Sequence, residues 1–135
     1  MRRTVRLTYA MNRVCALLPL AVLTALPAAV PAATIGVSMA VFDDNFLTSV
    51  RGSMQARARE LQVPIQFEDA QNDIGRQLNQ IQNFVAAHVD AIVVNAVDTD
   101  ATPRMTQLVS AAHIPLVYVN RMPADRHLPP RVSFV

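Results

Sequence analysis

Between Ile35 and Asn120, short apolar runs alternate with stretches of helical apolar spacing, and that alternation constrains the fold more than any other feature. Ile35-Gly36-Val37-Ser38-Met39 reads as a first strand. Leu47, Val50, Met54, Ala58 and Leu61 then fall on one stripe of an amphipathic helix. Pro64 ends that segment, and Ile65-Gln66-Phe67 reads as a second strand. Ile74, Leu78, Ile81 and Val85 repeat the helical spacing, with Asp73 placed to cap the start. Ala91-Ile92-Val93-Val94 is a third strand. Thr102-Pro103 reads as a cap followed by proline at the first helical position, opening a helix through Met105, Leu108, Val109 and Ala112. Pro115 sets off a fourth strand over Leu116-Val117-Tyr118-Val119, and Val132-Ser133-Phe134-Val135 is a candidate fifth strand at an edge.

This order predicts the α/β class: an open parallel sheet with helices on both faces and right-handed crossovers. The third and fourth strands are continuous apolar runs, the pattern of strands buried on both faces. In the strand order 2-1-3-4-5, the first crossover runs one way along the sheet and the next two run back. The first helix then lies on one face and the other two lie opposite. A single helix is left to cover a face that includes two apolar strands, which predicts marginal folding or aggregation of the isolated domain.

The segment before Ile35 has a different character. Arg2, Arg3, Arg6 and Arg13 form a basic leader, Val14 to Leu26 is mostly apolar, and Ala28 to Ala33 is rich in small residues. A basic, then apolar, then small-residue order describes a secretory signal peptide, here residues 1–33 with cleavage after Ala32 or Ala33. The apolar run is interrupted by Pro19 and is shorter than the roughly 20 residues of a spanning helix. All 12 basic residues of the 135 are Arg. Without the four in the leader, 8 Arg face 10 Asp and Glu, a net charge of −2. The basic balance of the whole chain therefore belongs to the leader and gives no support for nucleic-acid binding. Cys15, the single cysteine, also lies there, so residues 34–135 hold neither a disulfide nor a thiolate nucleophile.

Open parallel sheets bind ligands beyond the carboxyl ends of their strands, and three segments fall at such ends. In Phe42-Asp43-Asp44-Asn45-Phe46, Asp44 is suited to accept hydrogen bonds from a polyol and Phe46 to stack on the C–H face of a ring. The same residues also read as a helix cap and a core aromatic. Asn120-Arg121 combines an amide with a planar fork of donors, which suits adjacent hydroxyls, or forms a solvated turn. Asn95 through Asp100 offers Asn95 as a polar ligand group, or a turn with caps for the following helix. Gln71-Asn72-Asp73 fits helix capping without a ligand. His88 and His113 fall near helix ends and His127 in the tail, with no metal-ligand spacing. Gly36, Gly52 and Gly75 are isolated, so no glycine-rich phosphate loop is present, and no nucleophile elbow is visible. Nothing in the sequence argues for catalysis or for a cofactor.

Taken together, Ile35-Gly36-Val37, Asp43-Asp44-Asn45-Phe46, Gln71-Asn72-Asp73, Asn95-Ala96-Val97-Asp98 and Pro115-Leu116-Val117-Tyr118-Val119-Asn120-Arg121 resemble the periplasmic sugar-binding proteins of bacterial ABC transporters, particularly the galactose/glucose-binding group. The segments follow the family's order and near its spacing from about Ile35 to the end of the chain. Members hold a monosaccharide between two α/β lobes joined by a hinge and present it to a membrane permease. The resemblance implies that residues 34–135 are a truncated N-terminal lobe in the periplasm, with the second lobe absent. It implies that Asp44 accepts sugar hydroxyl hydrogens, Phe46 stacks on one ring face and Asn120 bonds a ring substituent. Arg121 stands where relatives carry Lys or Arg. The expected partners are a hexose or pentose and an inner-membrane ABC permease, with no metal. A complete micromolar site corresponds to about −8 kcal/mol, so half of it leaves roughly −4 kcal/mol, a millimolar site.

Two other classes share such a sheet. Sugar-responsive repressors carry the same core after a helix-turn-helix, which the leader lacks. A flavodoxin-like enzyme needs a catalytic constellation, which is not visible.

Overall fold

The computed structural model describes residues 33–125 and 127–135. Apart from Ala33, the expected signal peptide lies outside the described residues. The elements run β1 (Ile35–Met39), α1 (Asn45–Glu60), β2 (Ile65–Asp69), α2 (Ile74–Ala86), β3 (Ala91–Val94), α3 (Thr102–Ala111), β4 (Leu116–Tyr118) and β5 (Val132–Phe134). The five strands form one sheet in the order β2-β1-β3-β4-β5, every pair parallel. This is the expected open α/β sheet, and the strand candidate at the C-terminus is its edge.

Side-chain alternation sorts the two faces. Ile92 and Val94 of β3 with Leu116 and Tyr118 of β4 are fully buried against Ile81 and Phe84 of α2 and Met105 and Val109 of α3. Val37 and Met39 of β1 are buried on the other face with Leu47 of α1. Each such burial contributes about 1.5–3 kcal/mol. The helices therefore divide one against two, as the crossover argument requires. Burial of β3 and β4 on both faces is only half realised, because Val93 and Val117, which point to the α1 side, are half-buried. An apolar groove of about 240 Å³ runs there, lined by Ile35, Met54, Leu61, Val63, Ile65 and Val93.

Three local readings need correction. Leu61 follows α1 as its C-cap and is exposed rather than part of the buried stripe. In α2 the buried face is centred on Gln77, Gln80, Ile81 and Phe84, while Ile74 is exposed. Hydrophobic spacing missed it because two of its members are glutamines, whose amides are paired inside and so carry no unmet desolvation cost. Thr102 is not a cap. A 3-10 turn over Thr99–Ala101 precedes α3, and Asp98 caps that turn by accepting from Asp100 N at 2.9 Å. Thr102 is buried and donates to Thr99 O, leaving Pro103 in the first turn of the helix.

Other expectations stand. Asp73 caps α2, its Oδ1 accepting from Arg76 N at 2.7 Å. Gln71 and Asn72 both have positive φ, 52° and 56°, which turns the chain so that Asn72 N reaches Ala40 O at 2.7 Å. His88 and His113 follow α2 and α3 in the left-handed region, at φ 53° and 58°. There Val89 N and Ile114 N bond back to Phe84 O and Val109 O, closing each helix end. At Gly36 the Phe84 ring of α2 lies directly against the β1 backbone. A Cβ at that position would lie 2.6 Å from the Phe84 ring.

Candidate functional site

The sheet reverses its order of connection between β1 and β3, and the loops after these strands flank that switch point. Asp44 follows β1 in extended conformation and caps α1, its Oδ1 accepting from Leu47 N at 2.8 Å. It is exposed, so the capping carboxylate faces solvent at the carboxyl edge of the sheet. Phe46, two residues on, is 57% exposed and is not a core aromatic. Phe42 is instead partly buried against the core. It packs on the α1 side and carries the Arg51 guanidinium 4.0 Å above its ring.

Asn95 begins the loop after β3 and is fully buried. Its backbone N donates to Ser38 O at 2.9 Å. Its side-chain Oδ1 accepts from Ala40 N at 3.4 Å, and its Nδ2 donates to Val119 O at 3.2 Å. The amide thus ties β1 and β4 to the strand between them and points inward. Asn120 follows β4 exposed, with φ 66°. Arg121 N donates to Val119 O at 2.7 Å, which closes a γ-turn around Asn120. Asparagine tolerates this conformation better than other residues with a Cβ. The Arg121 guanidinium then folds back over the neighbouring loop, its Nη1 donating to Ala96 O at 3.0 Å and Val97 O at 2.7 Å.

Hydrogen bonds therefore join Asn95, Asn120 and Arg121 in one assembly. Asp44 ends the adjoining loop, reached through Ala40, and Phe46 stands in the first turn of α1. Sequence spacing did not find Ser38, Gln77 and Gln80, the buried polar residues beneath this edge. Ser38 Oγ donates to Gln80 Oε1 at 2.7 Å, and Gln77 Nε2 donates to Asn95 O at 3.0 Å. Their only sequence signal is polarity inside otherwise apolar elements. Behind β4, Tyr118 Oη bonds Thr102 O at 3.0 Å and Thr106 Oγ1 at 2.9 Å. Burial pushes its phenol up to about 12, with the Asp125 carboxylate adding to the rise and Thr106 opposing it. Among the described residues no group of three or more His, Cys, Asp or Glu gathers as a metal site. The edge offers hydrogen-bond donors and acceptors at Asp44, Asn120 and Arg121, with the exposed Phe46 ring in the first turn of α1.

A protein of Rhizobium meliloti named for rhizopine binding is 56% identical over 106 residues, covering 77% of this chain and 34% of its own. The ribose import binding protein RbsB of Bacillus subtilis is 26% identical over 88 residues, covering 65% of this chain and 29% of its own. An ABC transporter solute-binding protein from Bacillus halodurans, solved with bound myo-inositol, is 38% identical with a TM-score of 0.64, over 67% of this chain and 32% of that one. The chain thus spans about a third of the length of these relatives. The model of a periplasmic binding protein domain matches residues 35–129. The chain belongs to that family, one of solute-binding transport proteins and not of enzymes.

Proposed function

We propose that residues 34–135 form the first lobe of an exported receptor that captures a ring polyol in the periplasm and delivers it to an ABC permease. The observation that carries this reading is the exposure of Phe46 beside Asp44 at the switch point of the sheet. An aromatic ring left 57% in water gives up apolar burial, which a ligand's C–H face restores. Asp44 accepts from ring hydroxyls with the carboxylate oxygen that does not cap α1. Asn120 supplies a donor and an acceptor, and Arg121 supplies the guanidinium N–H groups left after its two carbonyl contacts. Asn95, whose amide is occupied by Ala40 and Val119, acts by holding the loops rather than by touching the ligand.

The ligand class is a monosaccharide or an inositol. Relatives named for rhizopine and ribose, and one with bound myo-inositol, support a six- or five-membered polyhydroxylated ring. The leader reading supports export, with cleavage after Ala32 or Ala33.

The test is a titration of the exported, isotope-labelled protein with myo-inositol, D-ribose and D-galactose, read by amide and side-chain NMR. We expect millimolar binding to one of them, with shifts concentrated at Asp44, Phe46 and Asn120. Phe46→Ala removes the binding and leaves the remaining spectrum unchanged. Absence of any shift at these residues at tens of millimolar ligand, an order-of-magnitude ceiling for a half-site, overturns the reading.

A further inference from the structure

Gln77 has no surface of its own, yet each hydrogen bond of its side chain serves the edge where the candidate ligand groups stand. Its Nε2 donates to Asn95 O at 3.0 Å and to Ser38 Oγ at 3.2 Å, and its Oε1 accepts from Val97 N at 2.9 Å. One amide thus brackets Ala96 from below, fixing the loop by the residue on either side. The two carbonyls above that bracket, Ala96 O and Val97 O, are the ones on which the Arg121 guanidinium rests. Arg121 in turn closes the γ-turn that gives Asn120 its positive φ. Contacts thus run from Gln77 to the 95–97 backbone, from there to the Arg121 guanidinium, and along Arg121 to the turn at Asn120, whose own N donates to Val135 O at 3.0 Å.

We propose that Gln77 is the positioning residue of the binding edge: it sets the loop on which Arg121 seats, and so fixes where Asn120 meets the ligand. The ligand role of Asn120 rests on the function proposed above, whereas the positioning itself does not. A short amide–backbone bracket suits this task because its groups are neutral, with Gln77 and Asn95 buried and Val97 partly so, which shields the bonds from salt and water. A hydrophobic residue of similar volume keeps the core filled but leaves Val97 N and Asn95 O without their buried partners.

Gln80 provides the control. It is also buried on α2 and also bonds Ser38, but its Nε2 donates to Asp69 O at 2.8 Å, on β2 rather than on the 95–97 loop. Gln77→Leu and Gln80→Leu therefore each remove a buried, hydrogen-bonded amide from α2 and differ in what they release. The first measurement is made without ligand, on the Arg121 Nε–H and the Asn120 and Arg121 amide signals. Gln77→Leu is expected to displace or broaden them, and Gln80→Leu to leave them in place. With myo-inositol and D-ribose as probes, Gln77→Leu weakens binding about tenfold more than Gln80→Leu. If Gln77→Leu does not fold, Gln77→Glu keeps the acceptor for Val97 N, removes the donor to Asn95 O, and is expected to move the same signals. Equal effects of the two glutamine positions on Asn120 and Arg121, or none from either, overturn the proposal. If the unmodified protein binds neither probe, the functional reading fails while the ligand-free comparison still decides the role of Gln77.

Discussion

Asn95 Nδ2 donates to Val119 O at 3.2 Å, a bond that reaches from the end of β3 to the end of β4 inside the protein. With Ala40 N donating to Oδ1 of the same amide, three neighbouring strands are tied at their carboxyl ends by one side chain. Val119 O also accepts from Arg121 N, so it anchors the turn at Asn120 as well. Buried polar groups of this kind stabilise little in net terms but cost much when one partner is removed.

Replacing Asn95 by Leu is expected to destabilise the protein by about 1–3 kcal/mol, because Ala40 N and part of Val119 O lose their buried partners. Asn95→Asp is expected to cost more, since it sets a carboxylate oxygen against the Val119 carbonyl. Urea denaturation followed by circular dichroism measures both, and an Asn95→Asp protein as stable as the parent would contradict the assignment of the amide's donor end.

Two glycines give opposite expectations for the same substitution. Gly36→Ala places a Cβ 2.6 Å from the Phe84 ring and is expected to cost about 1–3 kcal/mol by overpacking. Gly52 lies within α1, where a Cβ would meet nothing within 4 Å, so Gly52→Ala is expected to stabilise by about 0.5–1 kcal/mol. Melting curves of the two variants side by side check the contrast.

Asp44 combines a structural and a proposed ligand role, and two substitutions separate them. Asp44→Asn retains an oxygen for Leu47 N, so stability should change by only a few tenths of a kcal/mol. Its loss of charge is expected to weaken polyol binding about tenfold. Asp44→Ala removes the cap too and should cost about 1 kcal/mol of stability. Calorimetric melting paired with ligand titration distinguishes them, and unchanged affinity in Asp44→Asn would leave Asp44 a cap alone.

The Tyr118 phenol makes the fold sensitive to strong base. Its value in the folded protein is raised from 10.0 to about 12, so the fold favours the neutral form. The stability this represents is fully present below pH 10 and is lost as pH rises through about 12. Tyr118→Phe should lower stability at pH 7 by about 1 kcal/mol through the lost hydrogen bonds, and flatten the decline between pH 10 and 12. Urea midpoints across that range test this, and parallel declines in the two proteins would place the base sensitivity elsewhere.

Much of this architecture is legible in the sequence alone. Continuous apolar runs at Ala91–Val94 and Leu116–Val119 mark strands, and amphipathic spacing between them requires crossovers of one hand, so strand order and the placement of helices follow. Asp73 and Asp44 were legible as caps because capping is a local arrangement of a carboxylate and an amide three residues on. The positions of Asp44, Asn95 and Asn120 at the carboxyl ends of strands came from the same topology.

What each of those side chains does was decided only by tertiary contacts. No local rule separates the exposed Phe46 from the packed Phe42, because the two differ in which face of the chain meets the sheet. Asn95 and Asn120 are the same residue type at the ends of adjacent parallel strands. One is buried by its neighbours Ala40 and Val119, and the other is turned outward by a γ-turn. Gln77 and Gln80 broke the apolar stripe of α2 because their hydrogen-bond partners lie 11 to 42 residues away in sequence. The periodic pattern of apolar residues records which surfaces leave water, and that is enough to determine a sheet and its helices. Pairing between buried polar groups depends on which strands become neighbours, so only the assembled structure sets it.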